Sequence, residues 1–355
     1  MKRCHFIGMD VHCQFCEIAV VTPGGDVCHR QRCDTTIPAL REAIEAVKQP
    51  RQLVMEEGPL ADWLTRNLAP VVDEWVVSEP RRNRLIAEDG DKDDPVDAEK
   101  LAQLLRGGFI KAVHQSKDLS RSLFKQQVGL YHGRVCHRVA EGLRVLSAFR
   151  RHGVMIQEKH FVAEEDRPEL LKRLVDDAGL RSMLECLWRG YDAAVEQEEF
   201  LRRRLVALAK QEEVVSRFQE LPGVGPVRAA TFFVYVDTPW RFASKQALWK
   251  YLGIGLERRR SGNGPERLRV PFQINRLLKY TILGAALSAV VQGDNPFADQ
   301  YGRWIKQGLT QRVARRNVAR SLAVTLWGLW KNGSVYHPEW VGVAAAAGVA
   351  ARPSR

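Results

Sequence analysis

No stretch of the 355-residue sequence stays apolar long enough to cross a bilayer. The longest runs, around Tyr280–Val291 and Val341–Ala351, fall short of the ~20 residues a spanning helix needs, so no membrane partner is expected. Met1-Lys2-Arg3-Cys4-His5 leads straight into a strand-like pattern, which leaves no room for a signal peptide. Cysteine is sparse and odd in number, at seven. Without secretory context that excludes a disulfide framework and points to reduced, cytoplasmic thiols. No internal repeat is found. With 45% hydrophobic and 27% charged residues, disorder is excluded for most of the chain, and the length implies two domains or more.

Acidic residues are scarce in one place. Lys and Arg total 54 against 42 Asp and Glu, a net charge of +12. From Arg241 to Lys331 there are 17 basic and 4 acidic residues, a balance of +13. The whole excess sits in this block, which is the footprint of a phosphate-backbone partner.

Residues 5 to about 110 alternate between strand and helix. His5–Met9, Cys16–Val21 and Val27–Cys33 read as short strands, with a turn at Pro23-Gly24-Gly25-Asp26. Thr36 caps a helix through about Lys48. Arg51–Glu56 is a strand, Leu60–Leu68 a helix and Val71–Ser78 a strand. Early antiparallel strands followed by strand–helix alternation predict a mixed α/β sheet. Residues 117 to about 217 read as two long helices. Leu119, Leu123, Val128, Leu130, Val135, Val139, Leu143, Leu146 and Phe149 recur near helical spacing in the first, and a second runs from about Arg181 to Leu208. A polar hinge with Asp166-Arg167-Pro168 joins them, and a coiled-coil spacer or dimer arm is expected. The basic remainder reads as helical, with an Ala/Gly-rich tail. The expected divisions are 1–112, 113–217, 218–340 and a flexible 341–355.

Three constellations carry chemistry. Asp10 ends the first strand (Phe6-Ile7-Gly8-Met9-Asp10) and Glu56 a later one, with Glu57 its competitor because alternation lets only one face a site. Asp94 and Asp97 lie one helical turn apart at a helix start marked by Pro95. Carboxylates at the C-terminal edge of a sheet are placed where α/β folds build sites. Several together repel unless divalent cations bridge them, which suits phosphoryl transfer. Leu221-Pro222-Gly223-Val224-Gly225-Pro226 before an alanine-rich helix reads as a helix-hairpin-helix turn, whose Gly223, Gly225 and following Arg228 are placed to meet a phosphate. Ser261 follows Arg258, Arg259 and Arg260 in a Gly-rich loop, with Arg267 and Arg269 further along the same basic segment. Cations there could stabilise charge growing on phosphorus if the hydroxyl attacks it. His5, His12, Cys13, Cys16, Cys28, His29 and Cys33 include one Cys-x-x-Cys, but the spacing of Cys28 and Cys33 is poor for zinc and alternation scatters the set, so zinc is not expected.

In these motifs the chain resembles the DEDD transposases of the insertion-sequence one-ten family. The Asp10 strand, the Glu56 strand and Lys92-Asp93-Asp94-Pro95-Val96-Asp97-Ala98 are similar to its RuvC-like N-terminal domain. The Leu221–Ala230 hairpin, the Tyr251–Leu256 run and the arginine-flanked Ser261-Gly262 are similar to its C-terminal transposase domain. Glu56-Glu57-Gly58 stands where the family usually has Glu-Ala-Thr-Gly, and Lys92-Asp93-Asp94 where it has Lys-Thr-Asp.

The resemblance implies an α/β plus all-α chain: an RNase H-like (RuvC-like) mixed sheet, a coiled-coil spacer and a helical C-terminal domain. It implies Mg²⁺ held by Asp10, Glu56, Asp94 and Asp97, and Ser261 as a nucleophile that attaches covalently to DNA. The implied partners are donor and target DNA, a structured non-coding bridge RNA as guide, and further copies in a homodimer or homotetramer. The implied location is the prokaryotic cytoplasm, at the nucleoid when DNA is bound. Two other functions fit the residues: a metal-dependent, structure-selective nuclease that uses water, and a non-catalytic nucleic-acid-binding relic.

Overall fold

The computed structural model describes residues 4–80, 94–116, 118–259, 267–271 and 274–341. The chain forms two compact units, 1–119 and 120–355.

In the first unit, β1 (His5–Val11), β2 (Phe15–Val21) and β3 (Val27–Asp34) form an antiparallel meander, and β4 (Arg51–Glu56) and β5 (Glu74–Ser78) extend it in parallel. The order across the five-stranded sheet is β3-β2-β1-β4-β5. Helices α1 (Ile37–Glu45) and α2 (Ala61–Leu68) belong to the layer on one face, where Ile7, Met9, Leu53 and Met55 share a core with Leu40, Ile44, Leu64 and Leu68. Thr36 caps α1 as expected, its hydroxyl accepting from the Ala39 N–H at 3.4 Å. Helix α3 (Asp94–Arg106) covers the opposite face, where Val54, Val76 and Leu101 pack together. The period-two alternation of β1 and β4 explains this division, because neighbouring side chains point to opposite faces. Gly8 permits the close approach of α3: a Cβ there would lie 1.9 Å from the Ala98 carbonyl oxygen.

In the second unit, α4 (Leu119–Arg151) and α6 (Ala178–Gln211) are the two long helices, with the short α5 (Arg167–Leu171) between them. At ~1.5 Å per residue each long helix spans about 50 Å. They run antiparallel: Arg138 pairs with Glu198, and the Phe149 and Trp188 rings lie 6.2 Å apart nearer the tip. The tip has its own core, Val145, Phe149, Phe161, Leu184, Trp188 and Tyr191.

Two expectations need correction here. Leu119, Leu123, Leu130, Val139 and Leu143 face solvent, whereas Phe124, Val128, Tyr131, Val145 and Phe149 are the buried positions. Apolar residues occupy more than one stripe of α4, and the neighbouring helices decide which stripe is covered. The segment at Asp166-Arg167-Pro168 is also no polar hinge. Arg167 is buried, its guanidinium holds both Asp192 carboxylate oxygens at 2.5 and 2.8 Å, and its Nε donates to the Phe161 carbonyl.

The rest of the unit is helical: α7 (Glu213–Phe218), α8 (Pro226–Val236), α9 (Lys245–Tyr251), α10 (Arg276–Gln292), α11 (Pro296–Lys306) and α12 (Gln311–Asn332), with a two-stranded ribbon of β6 (Glu257–Arg259) and β7 (Arg267–Arg269). Helix α8 is apolar nearly all round and forms the centre, with Ala229, Ala230, Phe232, Phe233, Val234 and Val236 buried. The inner ends of α4 and α6 join the same core through Phe124, Val128, Tyr131, Leu205 and Ala209. Residues 342–355 lie outside the described residues. No helix among the described residues is long and apolar enough to cross a membrane.

Candidate functional site

Asp10 and Glu56 share the face that α3 covers. Both follow the parity of Gly8 and Val54 in their strands, and β1 and β4 are parallel with Met9 beside Met55, so one further step sets Asp10 beside Glu56. Glu57 lies one residue past the strand, exposed, its N–H donating to the Ser78 carbonyl at 2.8 Å. Strand parity therefore puts Glu56 on the face that α3 covers.

Helix α3 runs against the direction of β1. Its Gln103 amide donates to the Gly25 carbonyl at 2.7 Å, in the turn beyond Val21, which pairs with Phe6 near the start of β1. The start of α3, with Asp94 and Asp97, therefore points toward the strand ends that carry Asp10 and Glu56. The side chain of Asp94 lies outside the described residues.

Two further residues, neither placed beside the acids by sequence alone, belong to this edge. His12 places Nε2 3.0 Å from the Asp10 carboxylate, and its ring lies 4.6 Å from that of Phe15. Glu17 pairs with Asp10 across the β1–β2 ladder, is buried, and accepts from Arg32 Nε at 2.5 Å. The Arg32 guanidinium also covers the Phe15 ring at 4.2 Å. The symmetry of the hairpin about residues 12–15 was the signal that could have found Glu17. Among the described residues, no three His, Cys, Asp or Glu side chains form a group that could hold a metal ion. Burial pushes the Cys33 thiol up to about 11 and raises that of Cys16 opposite it.

The hairpin of the second unit is built by Gly223 and Gly225. Gly223 has φ +78°, and a Cβ there would lie 2.2 Å from the Ala285 carbonyl of α10. Gly225 caps α8 without a side chain and Pro226 opens the helix, so no side-chain acceptor closes its first turn. A cleft of about 500 Å³ lies in front, lined by Gly223, Gly225, Arg228, Ser288 and Asn295. Arg228 turns inward: Nη1 donates to the Gly223 carbonyl at 2.7 Å and the Ser288 hydroxyl at 2.8 Å. Burial makes this guanidinium less basic than usual. Its position is that of a brace behind the turn.

The ribbon carries the arginine-flanked loop. Glu257 and Arg269 pair across it at 3.0 Å. Arg260 and Ser261 lie outside the described residues, as do the side chains of Arg258, Arg259 and Arg267. The ribbon's base is locked to α12. The Arg320 Nε donates to the Ile254 carbonyl at 2.8 Å, its guanidinium lies over the Trp249 ring at 5.6 Å, and Trp249 Nε1 donates back to the Arg320 carbonyl at 3.1 Å. We expect Arg320→Ala to lower the stability of this unit by about 2 kcal/mol in chemical denaturation, the worth of a charged hydrogen bond to a buried carbonyl. Arg320→Lys should recover only part of that, because an ammonium lacks the planar stacking face.

Residues 215–302, from α7 through the hairpin and ribbon into α11, match the model of the Transposase IS116/IS110/IS902 family. The chain is also 27% identical over 176 residues to a Sinorhizobium fredii protein named "Putative transposase y4pF/y4sB". That alignment covers 47% of this chain and 45% of the relative, so the match spans about half the length of each. Residues 215–302 are thus similar to the transposases of the IS116/IS110/IS902 family, and about half of the chain is similar to a protein named as a putative transposase.

Proposed function

We propose that this protein is the DNA transposase of an insertion sequence, catalysing RNA-guided strand cleavage and exchange through a covalent serine–DNA intermediate. The observation that carries the reading is the pairing of the transposase similarity over residues 215–302 with Asp10 and Glu56 at adjacent strand ends of a mixed sheet. That sheet supports the RNase H-like assignment.

Asp10, Glu56, Asp94 and Asp97 would hold Mg²⁺. Carboxylate oxygens are the donors this hard cation takes, and it commonly uses only one or two of them, with water and substrate phosphate completing its shell. When bound, Mg²⁺ supplies charge stabilisation to a phosphate under attack. His12 and the start of α3 orient the acids.

Ser261 is the nucleophile. Its Oγ forms an ester to phosphorus while a P–O bond of the DNA backbone breaks, and the proton that the hydroxyl gives up is passed to the leaving oxygen. Arg258, Arg259, Arg260, Arg267 and Arg269 offset charge on the phosphate. Gly223 and Gly225 present the first-turn N–H groups of α8 to a second phosphate. The guide is a structured non-coding RNA, and the chain self-associates as a dimer or tetramer through the long helices, which expose Leu123, Leu130, Leu143 and Phe200.

The test is a labelled donor DNA incubated with protein and Mg²⁺, then denatured. The wild type should leave a labelled adduct that survives denaturation, and Ser261→Ala should leave none. Cleavage by Ser261→Ala at the wild-type rate would replace this reading with the water-using nuclease.

A further inference from the structure

Trp240 is the most exposed tryptophan of the second unit's described side chains, with 70% of its surface open. An indole so exposed offers a large flat aromatic face to solvent.

The ring is held in place. It sits in a single 3-10 turn, Pro239–Arg241, capped by Thr238, whose hydroxyl accepts from the Trp240 N–H at 3.4 Å. Pro239 is buried, and its carbonyl accepts from Trp327 Nε1 of α12 at 2.6 Å. The Lys331 ammonium lies 5.1 Å from the Trp240 ring centroid and 4.9 Å from that of Trp327. It is thus clasped between two indoles. Arg241, next in the chain, donates to the Tyr235 carbonyl and braces the turn from the other side.

We propose that Trp240, with Lys331 beside it, is a stacking site for an unpaired base of single-stranded DNA. A rigid aromatic face next to a cation is what a nucleotide needs: stacking for the base and a positive charge for its phosphate. The surrounding segment 241–331 carries 17 basic and 4 acidic residues, which favours a polyanion over a second copy of this basic surface. A protein partner would also need a contiguous apolar patch. Neither the Trp240 turn nor the facing segment Trp327–Lys331 has another exposed large apolar residue. The inference rests on the transposase reading, because opened DNA is the single strand that strand exchange produces.

The test is the affinity of the full chain for fluorescein-labelled oligothymidylate, a duplex of equal length, and oligouridylate. Trp240→Ala should weaken oligothymidylate binding roughly 5- to 100-fold, the worth of one base–aromatic stack. Duplex binding and the melting temperature should stay unchanged, and Trp240→Phe should keep most of the affinity. Unchanged oligothymidylate binding, or equal weakening of single strand and duplex, overturns the stacking role. A loss confined to oligouridylate overturns the assignment to DNA. The serine adduct is scored in a separate assay with wild-type Trp240, so failure here and failure of the transposase reading remain distinct.

Discussion

Glu56→Gln is expected to lower DNA strand transfer by at least about 10³-fold, equivalent to roughly 4 kcal/mol of lost transition-state stabilisation. Glu57→Gln should leave it within about twofold. Glu56 has the parity of Val54, on the face that α3 covers, and stands one step beyond the Met9–Met55 pair. Glu57 is exposed beyond the end of the strand. Asp10→Asn should match Glu56→Gln, because the amide keeps the hydrogen-bonding shape and removes the negative charge a cation needs. All three variants should melt within about 2 °C of the wild type, since partly exposed strand-end residues contribute little to packing. Full activity in Glu56→Gln, with loss in Glu57→Gln, would reverse the assignment of the second acid.

The second large effect is on the fold. Gly8→Ala is expected to destabilise the first unit by about 3 kcal/mol or more, with a fall in its melting temperature on the order of 10 °C. A methyl at Gly8 would lie 1.9 Å from the Ala98 carbonyl and 2.7 Å from the Ala102 nitrogen. Both atoms are helix backbone, so no side chain can rotate away and α3 as a whole must shift. Because α3 carries Asp94 and Asp97, strand transfer should fall along with stability. Gly58→Ala is the control: nothing lies within 4 Å of its Cβ position, and it should melt like the wild type. A Gly8→Ala protein as stable as the wild type would mean that α3 does not rest on the sheet.

Some elements were legible because they follow local rules. Thr36 before Ile37-Pro38 is a cap in any context, and Gly223 is needed wherever a chain turns with positive φ. The strand ends at Asp10 and Glu56 followed from short β-prone runs. His12 and Glu17 were not legible as neighbours of Asp10. A single residue of slip in the β1–β2 hairpin would turn Glu17 to the other face, and the register is settled by the paired strands. Arg228 shows the same limit. Its position after the two glycines suggested a phosphate contact; that its guanidinium also donates to the Ser288 hydroxyl at 2.8 Å depends on the approach of α10.

The sequence by itself determined the +13 basic block, the order of the acidic motifs, the mixed sheet and the long helices. Each depends on composition or on neighbours within a few positions, where backbone sterics and side-chain period act without the rest of the chain. The tertiary structure alone decided which stripe of α4 is buried, which acid beside Gly58 faces α3, and that a buried Arg167 holds Asp192 at the helical tip. It also decided that Trp240 stands in water with Lys331 beside it. These outcomes depend on surfaces brought together across tens of residues, and burial is a property of the assembled surfaces rather than of either segment.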